Sequence, residues 1–245
     1  MSEPRFRRPR YQTVAAALAA IDGGFMQAAQ CYFAGGTRIV LELGEYRESE
    51  DLDFLCSSQE GYRALRSTVS DVSLGAILAA PLALLREVRA DRYGIRTFLD
   101  VGGTAVKLEI VQEGRVELSG QPCPSVPVPC LDRVCCFAEK FLANADRGGD
   151  DAALARDVID LAFMVEGWGD TPAQEGAARA RQAYGEVVDR AAKAAATRLR
   201  DDKAWLRRCV AALRITDSKT LAAGLSRLAK TDWARPRPRR RRPGI

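Results

Sequence analysis

Residues 51 to 56 read Asp-Leu-Asp-Phe-Leu-Cys, and this alternation restricts the fold more than any other stretch of the chain. In an extended strand successive side chains point to opposite faces, so Asp51 and Asp53 share one face while Leu52 and Phe54 enter a core on the other. Two carboxylates held that close repel each other unless positive charge stands between them. The strand therefore belongs to a sheet with one buried face and one face that suits something cationic.

What precedes the strand suggests what that cation serves. "CYFAGG" reads as a buried strand over 31 to 34 running into a tight turn, and "TRIVLEL" as the helix that follows, over 36 to 44, with Thr37 in its first turn. Glycines at 35 and 36 let a phosphate approach backbone N–H groups at a helix N-terminus, where the helix dipole also favours negative charge. No G-K-[ST] follows, so this is not a Walker A loop. Instead the chain passes through "GEYRESE" and returns the acid pair beside the glycine turn. Such a pair suits two magnesium ions that clamp the phosphates of a nucleoside triphosphate.

A further carboxylate is expected from a neighbouring strand. In "TAVKLEIV" the apolar Val106, Leu108 and Ile110 alternate with Lys107 and Glu109, which puts Glu109 on the same side as the acid pair and makes it the candidate third metal ligand. Asp100 stands at a strand end before Gly102 and Gly103, where a turn-capping role is expected. The second Gly-Gly-Thr, at 102 to 104, is expected in a hairpin turn and is given no nucleotide role.

Composition removes several alternatives. The 245 residues are 47% hydrophobic, enough for a substantial core in one large or two small domains. There is no histidine, which excludes histidine-based acid/base or nucleophilic catalysis. The seven cysteines form no C-x-x-C pair and read as reduced, mostly buried thiols, so a metal here is a hard cation held by oxygen. No apolar run reaches the roughly 20 residues of a membrane span, and "MSEPRFRRPR" lacks the apolar centre of a secretory signal. A cytoplasmic protein with no membrane partner is expected.

The six arginines at 235, 237 and 239 to 242, with the surplus in the first ten residues, more than account for the net charge of +5. The tail is expected to be disordered, either a solvated end or a holder of polyanion phosphates.

The texture changes near residue 122. Before it, strands are expected at 31–34, 51–56, 85–92, 95–101 and 104–112, with helices near 12–29, 36–44 and 58–70. After the proline-rich "SGQPCPSVPVPC", helices are expected near 130–146, 151–167, 173–195, 198–214 and 217–231. The fold class is α/β in the α+β sense: a mixed sheet with flanking helices over 1–122, a helical bundle over 123–232 and a basic tail over 233–245.

The motif Gly35-Gly36-Thr37 followed by Arg47, Ser49, Asp51 and Asp53, in the form R-x-S-x-D-L-D-F, resembles the nucleotidyltransferases of the AbiEii toxin family, which include the MenT-type toxins. "EKFLANADRGGDDAALARDVIDL" is similar to that family's later motif, with Lys140, Asp146, Arg147, Arg156, Asp157 and Asp160 at the matching positions. The resemblance spans about residues 32 to 163. It implies a nucleotidyltransferase sheet whose cleft is closed by the first two helices of the bundle. It also implies transfer of a nucleoside monophosphate from an NTP, tRNA as the acceptor, and a separate antitoxin partner.

The roles it carries over are metal binding for Asp51 and Asp53, triphosphate contact for Ser49 and Lys140, nucleotide binding around Gly35, Gly36, Thr37 and Arg47, and an essential acid at Asp157. Read without the resemblance, Arg156 and Asp160 lie four apart and could simply pair. Arg38 could meet a phosphate or face solvent. Two other functions stay open: nucleotidyl transfer to a small molecule or protein hydroxyl, and a non-catalytic nucleic-acid-binding or partner-binding module. The repelling acid pair argues against the module, which gains little from it.

Overall fold

A computed structural model describes residues 6 to 231 except 124, together with Trp233. The chain opens with α1 (Pro9–Ala19) and α2 (Gly23–Ala28) in place of the single helix expected over 12–29. The break lies at Asp22, whose carboxylate accepts from the Phe25 N–H at 2.8 Å and starts a new helix. Then come β1 (Cys31–Ala34), α3 (Gly35–Glu42), β2 (Leu52–Cys56) and α4 (Gln59–Ser67).

A short strand that was not expected, β3 (Ala83–Leu84), comes next, and the strand expected over 85–92 is reduced to the short β4 (Arg89–Ala90). Both lie against β5 (Gly94–Val101), which forms a hairpin with β6 (Thr104–Gln112). At its turn the Gly103 N–H donates to Asp100 Oδ1 at 2.7 Å, the capping expected of Asp100.

The proline-rich segment contributes strands that sequence periodicity did not reveal, β7 (Gly120–Gln121) and β8 (Cys130–Leu131). They add to the far side of β1, giving the order β3-β5-β6-β2-β1-β8-β7 with β4 also on β5. The sheet is mixed: β2 is antiparallel to β1 and parallel to β6. Its register sets Asp53 opposite Glu109 and Leu55 opposite Val111. On the back of these strands Leu52, Phe54, Leu108 and Ile110 are buried, so the acids necessarily face the front.

The helices that follow are α5 (Arg133–Arg147), α6 (Arg156–Gly167), α7 (Asp170–Tyr184), α8 (Val187–Asp201), α9 (Lys203–Ala212) and α10 (Ser218–Lys230). Several expected boundaries move, among them the helix expected over 198–214, which begins only at Lys203 because α8 runs on to Asp201. The helix expected over 173–195 breaks at Gly185 into α7 and α8. The one expected over 151–167 begins only at Arg156, after left-handed Leu154 and Ala155.

One cluster of buried apolar side chains runs through both stretches of the chain, from Phe33 and Phe54 in the sheet to Phe137, Phe141 and Ile159 in the helices. Among the described residues no helix is long and apolar enough to cross a membrane. The arginine-rich stretch 235 to 245 lies outside the described residues.

Candidate active site

The glycine turn and the acid pair fit into each other. Gly35 opens α3 with φ of +69°, and a β-carbon there would lie 2.1 Å from Asp53 Oδ2. A β-carbon on Gly36 would lie 2.3 Å from Arg47 Nη2. Both glycines thus make room for the protein's own charged groups, and the one at 35 is also the residue type that tolerates the left-handed backbone. Thr37 Oγ1 and Ser49 Oγ are hydrogen bonded at 2.9 Å, which ties the first turn of α3 to the loop before β2.

That loop is held from two directions. Tyr11 on α1 donates to the Arg47 carbonyl and accepts from the Ser49 N–H. Glu45 accepts from the backbone N–H groups of Arg7 and Arg8 at 2.9 and 2.8 Å. On the other side the Glu48 N–H donates to the Leu213 carbonyl and the Thr216 N–H to the Tyr46 carbonyl. The turn between α9 and α10 therefore buttresses the segment that carries Ser49 and Asp51.

A cleft of about 470 Å³ opens over the front of the sheet, between Asp51 and Asp53 on one side and Lys140, Arg147 and Arg156 on the other. Other acids on its walls have cations: Glu48 pairs with Arg214 at 2.9 Å, Glu50 with Arg10 at 2.9 Å, and Glu109 with Arg96 and Lys107 at 2.6 and 2.8 Å. Asp51 and Asp53 have no ion pair or side-chain hydrogen bond among the described residues. Burial, then repulsion from Asp51, raises the Asp53 carboxyl above its ordinary value.

Across the cleft a second pair of acids is saturated. Asp160, wholly buried, accepts from Arg47 Nε and Nη2 at 2.7 Å each and from the Tyr46 hydroxyl at 2.6 Å. Lys140 Nζ lies 2.8 Å from Asp160 and 2.9 Å from Asp157, and Arg147 grips Asp157 with contacts of 2.6 and 2.9 Å. Burial alone would raise both carboxyls. The facing cations outweigh it, Lys140 and Arg147 at Asp157 and Arg47 and Lys140 at Asp160, and hold both below the usual carboxylate range.

The sequence profile of the nucleotidyl transferase AbiEii toxins of type IV toxin–antitoxin systems matches residues 25–235, most of the chain. The protein belongs to the AbiEii family. Its members are nucleotidyltransferases of toxin–antitoxin systems, so this chain is a nucleotidyltransferase enzyme with an NTP substrate and an antitoxin partner. The crystal structure of JHP933 from Helicobacter pylori is similar in fold, with a TM-score of 0.54 and 16% identity over 91% of each chain. A second Helicobacter pylori crystal structure, assigned to the nucleotidyltransferases, gives 0.52 and 17% identity over 90% of this chain and 91% of that one. The nucleotidyltransferase toxin MenT4 of Mycobacterium tuberculosis aligns over 89% of each chain with 16% identity and a TM-score of 0.43. No curated protein sequence matches the chain.

Within this AbiEii-family cleft lie Gly35, Gly36, Arg47, Ser49, Asp51, Asp53, Glu109 and Lys140, with Arg147 and Arg156 beside them. Thr37 stands behind them on Ser49, and Asp157 stands behind Lys140 and Arg147.

Several expectations change in detail. Asp51 lies one residue before β2 and not within it, an exposed position at the cleft mouth. Glu109 faces Asp53 as expected but is no free third ligand, because Arg96 and Lys107 occupy its two oxygens. No cluster of three or more acidic, thiol or imidazole side chains among the described residues could hold a metal. The donor set that fits a hard cation is the Asp51 and Asp53 pair, with the other positions left to phosphate and water oxygens, as magnesium commonly takes them.

Lys140 and Arg47 reach the cleft with their charge already committed to acids. Asp160 takes Arg47 and Lys140 as partners, not Arg156, which is left exposed and without an ion pair among the described residues. Arg38 neither meets the cleft nor faces solvent. It is buried beside Trp168, ion-pairs with Glu42, and donates from Nε to the Leu131 carbonyl at 3.0 Å.

Sequence reasoning did not identify Tyr11, Tyr46 or the 213–216 turn as parts of the site. Their contacts span 36 to 170 positions along the chain, and no spacing rule reaches that far.

Proposed function

We propose that this enzyme binds magnesium and a nucleoside triphosphate over Asp51 and Asp53 and transfers the nucleoside monophosphate to a hydroxyl of tRNA. The observation that carries the reading is the unpaired acid couple. In a cleft where neighbouring carboxylates are neutralised by arginine or lysine, these two are left to repel, and Asp53 is partly desolvated as well. A divalent ion bound there relieves the repulsion, and it supplies neutralisation of phosphate charge in the transition state.

The protein's own groups do the rest. Ser49 and the N–H groups that open α3 offer donors to phosphate oxygens, and Arg156 offers a cation not engaged in an ion pair. The acceptor oxygen bonds to the α-phosphorus, the bond to the bridging oxygen breaks, pyrophosphate departs, and the hydroxyl proton is lost to water.

A polyanionic acceptor is favoured by the hollow next to the cleft. It holds about 450 Å³ and shares Lys107 with the cleft; Arg86, Arg89, Arg96 and Glu87 surround Phe98, and with Arg96 and Lys107 paired to Glu109 the surplus cations are Arg86 and Arg89. The Arg86 guanidinium stands 4.6 Å above the Phe98 ring. Cations interleaved with an aromatic ring suit a phosphate backbone with unpaired bases better than a small neutral alcohol.

The test is incubation of the purified protein with magnesium, each α-labelled nucleoside triphosphate and total tRNA. Label on tRNA is expected. Label on protein or on an added small alcohol, with none on RNA, overturns the acceptor assignment. No label on any acceptor overturns the reaction.

A further inference from the structure

The front of the sheet changes chemistry within one step along its strands. β2 and β6 run parallel, so their front-facing residues form rows across the two strands: Asp53 with Glu109, then Leu55 with Val111. The first row is fully charged and the second fully apolar. Over the second row lies one face of α5, which contributes Glu139, Lys140 and Ala143 at the three- and four-residue spacing of a helix surface. Ile39 and Leu131 also line the resulting slot of about 200 Å³, which shares Gly35, Asp53, Lys140 and Arg147 with the cleft.

Leu55, Val111 and Ala143 remain partly exposed there, although the core beneath is sealed. Of the buried polar side-chain atoms in this wall, Glu139 Oε1 lacks a hydrogen-bond partner among the described residues. Its carboxyl is pushed up to about 8 by burial and by the nearby Glu113 carboxylate. Its other oxygen accepts from Arg115 Nη2 at 3.2 Å, so Oε1 is the atom left to meet a ligand.

We infer that this slot, between the Leu55 and Val111 row and α5, holds the nucleobase of the triphosphate whose phosphates lie over Asp51 and Asp53. The inference rests on the nucleotidyl-transfer reading and adds to it the place where the base is held. A nucleotide is charged at one end and a flat, largely apolar ring with a polar edge at the other. The two rows repeat that order at adjacent positions: Leu55, Val111, Ile39 and Ala143 wall the slot, Glu139 Oε1 stands ready to meet a ring edge, and Asp53, Lys140 and Arg147 are shared with the cleft. The basic hollow at Arg86, Arg89 and Phe98 opens on the opposite side of the acid pair, along β5, so the two substrates would reach the acids from different directions.

Calorimetric binding to the full chain with magnesium tests this, with the four nucleoside triphosphates and inorganic tripolyphosphate as separate ligands. Ala143→Leu fills the slot from the helix side and Val111→Phe from the sheet side, and agreement between them guards against a local folding fault in either. Wild-type protein is expected to bind at least one nucleoside triphosphate more tightly than tripolyphosphate. Each variant should then weaken that nucleotide about tenfold or more, with tripolyphosphate affinity kept within about twofold. Unchanged nucleotide affinity in both variants, or equal losses for nucleotide and tripolyphosphate, overturns the slot assignment and leaves the transfer reading standing. Failure of wild-type protein to bind any of the nucleotides overturns both.

Discussion

Two pairs of aspartates, one lining the cleft and one buried behind its cationic wall, are treated in opposite ways. Asp157 and Asp160 are surrounded by Lys140, Arg47, Arg147 and Tyr46, and their carboxyls are held low. Asp51 and Asp53 have each other, and Asp53 is held high. The difference teaches that a carboxylate's role follows from its neighbours' charge. The satisfied pair is a clamp that joins the helices to the loop before β2, while the other pair keeps its repulsion at the cleft, which is what the proposed cation would relieve. Lys140, which the sequence motif places in contact with triphosphate, belongs first to the clamp.

The largest loss of stability is expected from removing one acid of the clamp. Asp160→Ala leaves Arg47 and Lys140 buried with too little negative charge, and should destabilise the protein by about 3–5 kcal/mol. Urea unfolding measures it. A loss below about 1 kcal/mol would mean that the network contributes no more than a surface ion pair.

Next in size is Gly35→Ala. The left-handed backbone and the approach of Asp53 to 2.1 Å of the new atom should together cost about 1–3 kcal/mol. Transfer should be abolished, because the side chain that must move is the acid itself. Retained transfer in a folded variant would show that Asp53 can act from a displaced position.

pH sharpens the contrast. A carboxyl lowered in the folded state stabilises fully above its unfolded value and loses that contribution as pH falls. Stability from Asp157 and Asp160 should therefore decline as pH drops below about 4. Asp53 runs the other way: its folded value is raised, so stability should rise slightly between neutral and mildly acidic pH as it takes up a proton. In Asp53→Asn this rise should shrink to the part that the raised Glu139 carboxyl supplies, while the acid loss remains. The same variant should be at least as stable as wild type yet lose transfer by about a hundredfold or more. Parallel unfolding series for both proteins decide the matter, and an Asp53→Asn variant less stable than wild type at neutral pH would contradict the repulsion.

The smallest effect on stability belongs to Arg156. Exposed and without an ion pair among the described residues, it should change unfolding by no more than about 0.5 kcal/mol on replacement by Ala. Nucleotide affinity in magnesium should nevertheless fall. Equal affinity would assign it to solvent.

Some of this was readable along the chain. The β5–β6 hairpin, the Asp100 cap, the four residues of β1 and the shared face of Asp53 and Glu109 follow from alternation and turn chemistry over a handful of positions. The partners of that acid were not readable. Lys107 is its neighbour on the same strand face, but Arg96 meets it only because the hairpin register sets the two opposite. The same limit explains why the Arg156 and Asp160 pairing left open by the sequence does not form. Helical spacing permits the contact, and Arg47, arriving from 113 positions away, takes the acid instead. Strands β7 and β8, two residues each, are too short to carry a period at all.

The sequence by itself determined the local pieces: a strand with acids on its front, a glycine turn that could open a helix in left-handed backbone, and helices whose apolar faces needed a partner. These depend on backbone sterics and on periods of two and 3.6 residues, which act between near neighbours. Only the tertiary structure decided which acids keep their repulsion and which lose it. Charge acts through space with a strength set by burial, so the answer waited until Arg47, Lys140 and Arg147 had been carried to Asp157 and Asp160, leaving Asp51 and Asp53 without an ion pair among the described residues.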